Sequence, residues 1–82
     1  MRAAVDISMY PLVAEYVAPI QAFIERLNSH ASLLIRTNAL ATQIWGDLEE
    51  IMGVLTQEMA RAASDAPQLV FVIKVLPGLT PP

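Results

Sequence analysis

The chain has 82 residues, of which 55% are hydrophobic and 16% charged, and its formal net charge is −3. Nucleic-acid binding is not expected, because its 5 basic residues are scattered whereas nucleic-acid-binding proteins cluster Lys and Arg. The absence of cysteine excludes disulfides, thiolate chemistry and cysteine-based metal sites.

Three elements are predicted in the first half of the chain. Alternation of apolar and polar residues predicts a strand over residues 3–10, which Pro11 ends because proline cannot donate to a sheet ladder. Apolar residues at helical spacing then predict a helix that starts within residues 15–18 and stops near Asn28. Alternation returns over residues 32–38 and predicts a second strand.

A strand that leads directly into a helix is predicted in the middle of the chain. Residues 42–45 alternate as a half-buried strand does, and Gly46 is interpreted as the flexible backbone needed for the reversal. Asp47 is predicted to be the helix N-cap, with Glu50 reaching back to complete a capping box. The helix is expected to end at Asp65, before a proline.

A last strand is predicted over residues 68–76, and residues 79–82 are predicted to be a loose tail. With right-handed crossovers and short connections, the order βαββαβ has one common solution. We therefore predict a single α+β domain over residues 1–82, with a ferredoxin-like fold. Its four-stranded antiparallel sheet has the order 4-1-3-2, and both helices lie on one face.

The opposite face of the sheet, here called the open face, has no helix to cover it. Its predicted side chains mix large apolar groups with polar ones, and they include Asp6, Tyr10, Leu34, Trp45 and Val72. A small chain that is 55% hydrophobic cannot bury all of its apolar side chains alone. We therefore expect a homodimer or a dimer of dimers, with Trp45 in the interface.

No combination of residues indicates catalysis. His30 has no orienting carboxylate fixed by spacing, so we expect it at a solvent-facing helix end. Asp47, Glu49 and Glu50 are acids of a first helical turn, where they are favoured without a metal. We expect no enzyme activity, no metal and no cofactor.

The cellular location is predicted from what the N-terminal region contains. Asp6 occupies the stretch where a signal peptide would be apolar, and no apolar run reaches membrane-spanning length. We expect a cytoplasmic protein that does not bind membranes.

A row of polar side chains projects from the predicted first strand at every second residue. Asp6, Ser8 and Tyr10 form either a solvated or dimer-buried stripe or the hydrogen-bonding row of a ligand cleft. Thr37 and Thr42 point towards the helices, where we expect the backbone to satisfy their hydroxyls.

Several short motifs occur in the order found in one known family. The sequence resembles the YkoF-like thiamine- and hydroxymethylpyrimidine-binding proteins and their single-domain relatives. The similarity covers nearly the whole chain, and the segments that carry it are Ser8–Leu12, Tyr16, Ala41–Asp47, Val72–Lys74 and Pro77–Gly78.

This resemblance implies a ferredoxin-like unit that binds the pyrimidine part of thiamine without transforming it. The motifs place Ser8, Tyr10 and Thr42 in the pocket, and Asn38 joins them by strand position alone. The chain lacks a tandem second unit and has a short C-terminus, so a pocket within one subunit and a shared pocket both stay open.

Three functions follow as hypotheses. The first is a non-catalytic binding protein for thiamine or hydroxymethylpyrimidine, in which Trp45 or Met9 covers the ring and Asp6 receives its amine or the cationic thiazolium. The second is a structural or regulatory oligomerisation module without a small ligand. The third is an enzyme of the dimeric α+β-barrel type, which is disfavoured because such sites usually need a base in the pocket.

Overall fold

Residues 1–79 are described by the computed structural model, so the predicted tail lies outside them except for Leu79. The elements, in chain order, are β1 (Arg2–Pro11), α1 (Val17–Asn28), β2 (Leu34–Thr37), β3 (Thr42–Asp47), α2 (Leu48–Asp65) and β4 (Leu69–Pro77). The predicted βαββαβ order is confirmed.

The four strands form one antiparallel sheet in the order β2-β3-β1-β4. This order is the predicted 4-1-3-2 read from the other edge, and the ferredoxin-like α+β fold is confirmed. β1 lies in the centre, where Ala4 pairs with Trp45 of β3 on one side and with Leu76 of β4 on the other. Within residues 1–79, neither helix is long and apolar enough to cross a bilayer.

The core lies between the sheet and the two helices. β1 contributes Ala3, Val5 and Ile7, which alternate towards the helices as strand geometry requires. Phe23 of α1 packs against Phe71 of β4, with ring centroids 5.2 Å apart. The other buried members of this core are Leu27, Leu33, Ile44, Ile51, Val54, Leu55 and Ala62.

The buried face of α2 differs from the apolar stripe that the sequence predicts. Helical spacing of the apolar residues predicts a stripe formed by Leu48, Ile51, Met52, Leu55, Met59 and Ala62. Met52 is exposed, however, whereas Glu58 is buried. Ile51, Leu55 and Glu58 are spaced by four and three residues, so they lie on one face of the helix. A charged residue occupies this face because basic side chains surround it.

Gly46 is required for a different reason from the predicted one. Among the described residues only Gly78 has a positive φ, of 84°, so the backbone of Gly46 is available to any residue. A Cβ atom at Gly46 would instead lie 2.6 Å from Cδ2 of the buried Leu33. A glycine inside a helix can indicate close packing, but Gly53 has nothing within 4 Å of such an atom, so close packing does not explain it.

The predicted N-cap role of Asp47 is confirmed, whereas the second contact of the predicted capping box is not observed within residues 1–79. The N–H of Glu50 donates to Oδ2 of Asp47 at 3.3 Å, as an N-cap requires. The carboxylate of Glu50 accepts a hydrogen bond from the hydroxyl of Ser32 instead of returning to the cap. This contact ties the loop before β2 to the first turn of α2.

The second strand is shorter than the predicted 32–38. The N–H of Leu33 donates to the carbonyl of His30 at 3.1 Å, so the chain is still turning there. At the other end, the N–H of Asn38 bonds to the carbonyl of Ala41 at 3.0 Å and begins the hairpin loop. Only residues 34–37 pair with β3.

Candidate ligand-binding site

A cavity of about 420 Å³ lies at the end of the sheet where β1 finishes. One wall is residues 7–12, from the end of β1 into the following segment. A second wall is residues 37–42, which span the loop between β2 and β3. The third comes from the start of α1, through Tyr16, Ile20, Phe23 and Ile24.

The β2–β3 loop owes its shape to Asn38. The side-chain Oδ1 of Asn38 accepts hydrogen bonds from the N–H groups of Leu40, at 2.8 Å, and Ala41, at 3.1 Å. An Asn side chain that bonds to the backbone two residues on is a typical turn former. The carbonyl of Leu40 then accepts from the hydroxyl of Ser8 at 3.3 Å, which attaches the loop to β1.

Two threonine hydroxyls meet on the cavity lining. The Oγ1 atoms of Thr37 and Thr42 are 3.0 Å apart, and either can donate to the other. Both side chains project towards the helices as predicted, because Thr37 and Thr42 each lie two residues from Ile35 and Ile44, which face the core. The prediction that the backbone satisfies these two hydroxyls is wrong, because they hydrogen-bond to each other.

All four residues assigned to the site from the sequence line this one cavity: Ser8, Tyr10, Asn38 and Thr42. Their part in binding stays a prediction. Asn38 uses its Oδ1 to shape the loop, and Ser8 donates to the backbone of the same loop. Tyr10 is 51% exposed, and its hydroxyl makes no hydrogen bond within residues 1–79.

The cavity does not lie where the polar row on the open face suggested. Within the described residues, neither Asp6 nor Trp45 belongs to the lining. Asp6 accepts a hydrogen bond of 3.0 Å from Nε2 of Gln43, and the Trp45 ring lies 5.7 Å from the guanidinium carbon of Arg36. The expected use of Asp6 and Trp45 against the ligand is therefore not supported, whereas Met9 does line the cavity.

Sequence reasoning missed the part that α1 plays. Helical spacing puts Ile20 and Ile24 on the apolar stripe of this helix and so predicts core positions, but both residues line the cavity. Tyr16 appeared only as a motif residue, yet it stands on the lining and is 55% exposed. The sequence did carry one indication that Tyr16 lines a cavity, which is its position beside the first helical turn. A large aromatic side chain at that position has no predicted core in which to pack.

The lining is uncharged, since no Asp, Glu, Lys, Arg or His of residues 1–79 belongs to it. The ionised groups of note lie elsewhere. At the far end of β3, a hydrogen bond from the N-terminal ammonium of Met1 lowers the pKa of Asp47, and the N–H of Glu50 adds to this effect. His30 contacts Glu58 between the helices, so its predicted solvent-facing position is wrong.

The side chains present can do a limited kind of chemistry. Ile20, Ile24, Phe23 and Met9 offer an apolar surface, and the hydroxyls of Thr37, Thr42 and the two tyrosines offer hydrogen bonds. Such a site can hold and orient a small, flat, uncharged group. Within residues 1–79, no group of three or more His, Cys, Asp or Glu side chains is placed to hold a metal ion.

Comparison with known proteins places the chain among structures of the same fold. The sequence model described as the YKOF-related family matches residues 2–75. A protein from Streptococcus pneumoniae superposes with a TM-score of 0.89 at 22% identity, covering 96% of this chain and 89% of its own. A Thermotoga maritima protein, described as a candidate thiamine biosynthesis/salvage protein, gives 0.86 at 20% identity and covers 93% and 83%. No curated protein matches the sequence.

Proposed function

The chain belongs to the YkoF-related family, and from that membership we propose that it is a non-catalytic binding protein for thiamine or its hydroxymethylpyrimidine moiety. The observation that carries the proposal is the uncharged cavity of about 420 Å³, lined by the motif residues Ser8, Tyr10 and Thr42 and by Asn38, which was predicted from its strand position. The thiamine-related description of the Thermotoga maritima protein supports the same ligand class.

The chemistry of the ligand matches the lining. An aminopyrimidine is flat and uncharged, so its faces need apolar contacts and its edge needs hydrogen-bond partners. Phe23, Ile20 and Met9 supply apolar contacts, and the hydroxyls of Thr37 and Thr42 supply edge partners. The volume falls within the range of about 300–1,000 Å³ that small-molecule pockets occupy. The net charge of −3 favours cationic thiamine over its diphosphate.

The lining also supports binding without turnover. General acid–base catalysis needs a positioned side chain that exchanges protons near neutral pH. Within the described residues, the cavity contributes hydroxyls and one side-chain amide, and His30 is engaged by Glu58 outside it. An enzyme of the dimeric α+β-barrel type is accordingly the weaker alternative, and turnover of a substrate would be needed to revive it.

Titration calorimetry with thiamine and with hydroxymethylpyrimidine tests the proposal. We expect binding by the wild-type protein and a loss of about five- to a hundredfold in Ser8→Ala and Thr42→Val, because each loses a polar partner. Thr56→Val is the matched control, since Thr56 lies on α2, outside the cavity lining, and donates to the carbonyl of Met52. If the wild-type protein releases no heat with either compound, the oligomerisation module becomes the better hypothesis.

The open face supports a second proposal, that a copy of the same chain covers it. An apolar row crosses all four strands in register, formed by Leu34, Trp45, Ala4 and Leu76. A polar row runs beside it, formed by Arg36, Gln43, Asp6 and Lys74. A row of each kind lets two copies bury apolar side chains and still pair their polar ones.

Two details of the open face support a partner there. Leu34 and Leu76 are exposed, as are Val70 and Val72 on β4. The indole Nε1 of Trp45 is buried, yet it has no hydrogen-bond partner within residues 1–79. Buried donors are normally paired, so an indole that turns outward in the dimer could bring this donor to an acceptor of the second copy.

The substitution Trp45→Glu tests the homodimer by placing a charge in the expected interface. Light scattering should show a dimer or tetramer for the wild-type protein and a shift towards monomer or aggregate for this variant. Met52→Glu is the control, because Met52 is 39% exposed on the helical side of the molecule. A wild-type monomer at micromolar concentration would contradict the homodimer.

A further inference from the structure

We propose that the hydroxyl pair of Thr37 and Thr42 selects ligands whose ring edge carries a hydrogen-bond donor next to an acceptor. The inference rests on the proposed function and assigns to Thr37 a role in specificity. The two Oγ1 atoms are 3.0 Å apart, and both residues line the cavity. A pair of oxygens at this spacing can meet two neighbouring atoms of one ring.

The two threonine hydroxyls keep donor and acceptor positions that their mutual hydrogen bond does not use. Two hydroxyls carry two hydrogens and four lone pairs, and their mutual bond uses one of each. One O–H donor and three acceptor positions are therefore left over. Because either hydroxyl can be the donor, the free hydrogen belongs to whichever oxygen accepts the mutual bond.

The other polar side chains nearest the loop are already committed. Asn38 holds two backbone N–H groups with its Oδ1, and its Nδ2 lies 3.4 Å from Oε1 of Gln43. The hydroxyl of Ser8 donates to the carbonyl of Leu40. Asn38 keeps a second amide hydrogen free but has no acceptor to spare, so the threonine pair is the group on this wall that offers a ligand both a hydrogen and an acceptor.

An amino group beside a ring nitrogen supplies a hydrogen-bond partner for each of the two threonine hydroxyls. Thr37 donates to Thr42, Thr42 donates to the ring nitrogen, and the amine donates back to Thr37. In this closed ring of hydrogen bonds, each group gives one hydrogen and accepts one. Reversing the mutual bond gives the same closure for a ring carbonyl beside a ring N–H.

A ligand without the neighbouring donor is expected to bind worse. Its ring nitrogen can still accept from the pair, but nothing donates to the second hydroxyl. The hydroxyl that loses this donor belongs to Thr37, whose side chain is exposed. A bound ring would cover it, so water replaces the missing hydrogen bond poorly. Discrimination by such a missing partner is stronger than discrimination by shape alone.

The pair is also held rigidly. Thr37 and Thr42 are register partners at the ends of β2 and β3, so the sheet ladder sets the distance between their backbones. Their β-branched side chains have restricted χ1 rotation, which limits where each hydroxyl can point. The Asn38 turn closes the loop between them.

Calorimetry with three probes tests the inference. The probes are hydroxymethylpyrimidine, its analogue without the exocyclic amine, and the analogue with a ring carbonyl in place of the amine. We expect the wild-type protein to bind the first and third with similar affinity and the second about tenfold more weakly. In Thr37→Val, the first and third should weaken by about tenfold, and the second by much less.

Thr37→Ser is the matched variant, because it keeps the hydroxyl and should retain the preference for the amine. Thermal melting of both variants checks that the fold survives. Equal weakening of all three probes in Thr37→Val, or unchanged binding of all three, would overturn the role in specificity while leaving the proposed function intact. No heat from the wild-type protein with any probe would overturn the proposed function and this inference together.

Discussion

The Nε2 atom of His30 lies 3.3 Å from Oε2 of Glu58, a carboxylate that is only 1% exposed. The other carboxylate oxygen, Oε1, is 3.7 Å from Nε of Arg26 and 3.5 Å from Nε of Arg61. One buried acid on α2 therefore faces cationic or ionisable groups from α1, from the loop after it and from α2 itself. This cluster joins α1 and the residue His30 after it to α2.

Substitution of Glu58 by Gln should destabilise the protein strongly. It removes the charge while keeping the shape, and within residues 1–79 it leaves Arg26 with the carboxylate of Asp65, at 3.5 Å. Breaking a buried ion pair in this way costs about 3–5 kcal/mol. Urea unfolding measures the loss, and Asp65→Asn is the control because Asp65 is exposed and should cost under about 1 kcal/mol. Similar small losses for both variants would show that the cluster contributes little.

Two glycine substitutions should have opposite effects on the free energy of unfolding. Gly46→Ala forces a methyl group into Leu33 and should cost about 1–3 kcal/mol by overpacking. Gly53→Ala has open space and a helical backbone, so it should stabilise by about 0.5–1 kcal/mol. Thermal melting distinguishes the two. A neutral Gly46→Ala would mean that Leu33 can move aside without cost.

The N-cap Asp47 should make stability depend on pH in the acid range. Its pKa lies below the ordinary value of 3.8 because the Met1 ammonium and the Glu50 N–H favour the charged form. The stabilisation is therefore fully present above 3.8 and is lost as the pH falls through the lower, folded-state pKa.

Asp47→Asn tests this dependence by chemical unfolding at a series of pH values. The variant should be less stable than the wild-type protein at neutral pH, and the difference should shrink in acid. Glu49→Gln is the control in the same helical turn, and the acid-dependent loss should persist in it. A difference between Asp47→Asn and wild type that stays constant with pH would contradict the assignment.

Asn38→Ala should weaken ligand binding through the loop and not through a lost ligand contact. The Oδ1 of Asn38 accepts hydrogen bonds from the N–H groups of Leu40 and Ala41. The variant loses both hydrogen bonds, so the loop that forms this wall of the cavity is no longer held in place. We expect weakening by about five- to a hundredfold for every pyrimidine probe alike, in contrast to the probe-dependent effect of Thr37→Val. Calorimetry with the same three probes makes the comparison. Selective loss of one probe would show that Asn38 contacts the ligand directly.

The periodicity of apolar residues along the sequence was sufficient to predict the fold. The alternation in β1 and the helical spacing in α1 and α2 depend only on local geometry, and the rules for crossovers then leave one common topology. The N-cap role of Asp47 was also predictable, because capping involves residues within one turn. The motif residues Ser8, Tyr10 and Thr42, with Asn38, were brought to one cavity.

Contacts between distant residues needed the tertiary structure. Glu58 and His30 are 28 residues apart, so no spacing rule could show that a buried carboxylate meets the histidine. Gly46 looked like a flexible turn, yet its requirement comes from Leu33, which the folding of the sheet brings against it. The cavity lies between α1 and the end of the sheet, where the apolar residues Ile20 and Ile24 line it and do not join the packed core. Periodicity shows which face of an element is apolar, but only packing decides whether that face meets a neighbour or an empty space.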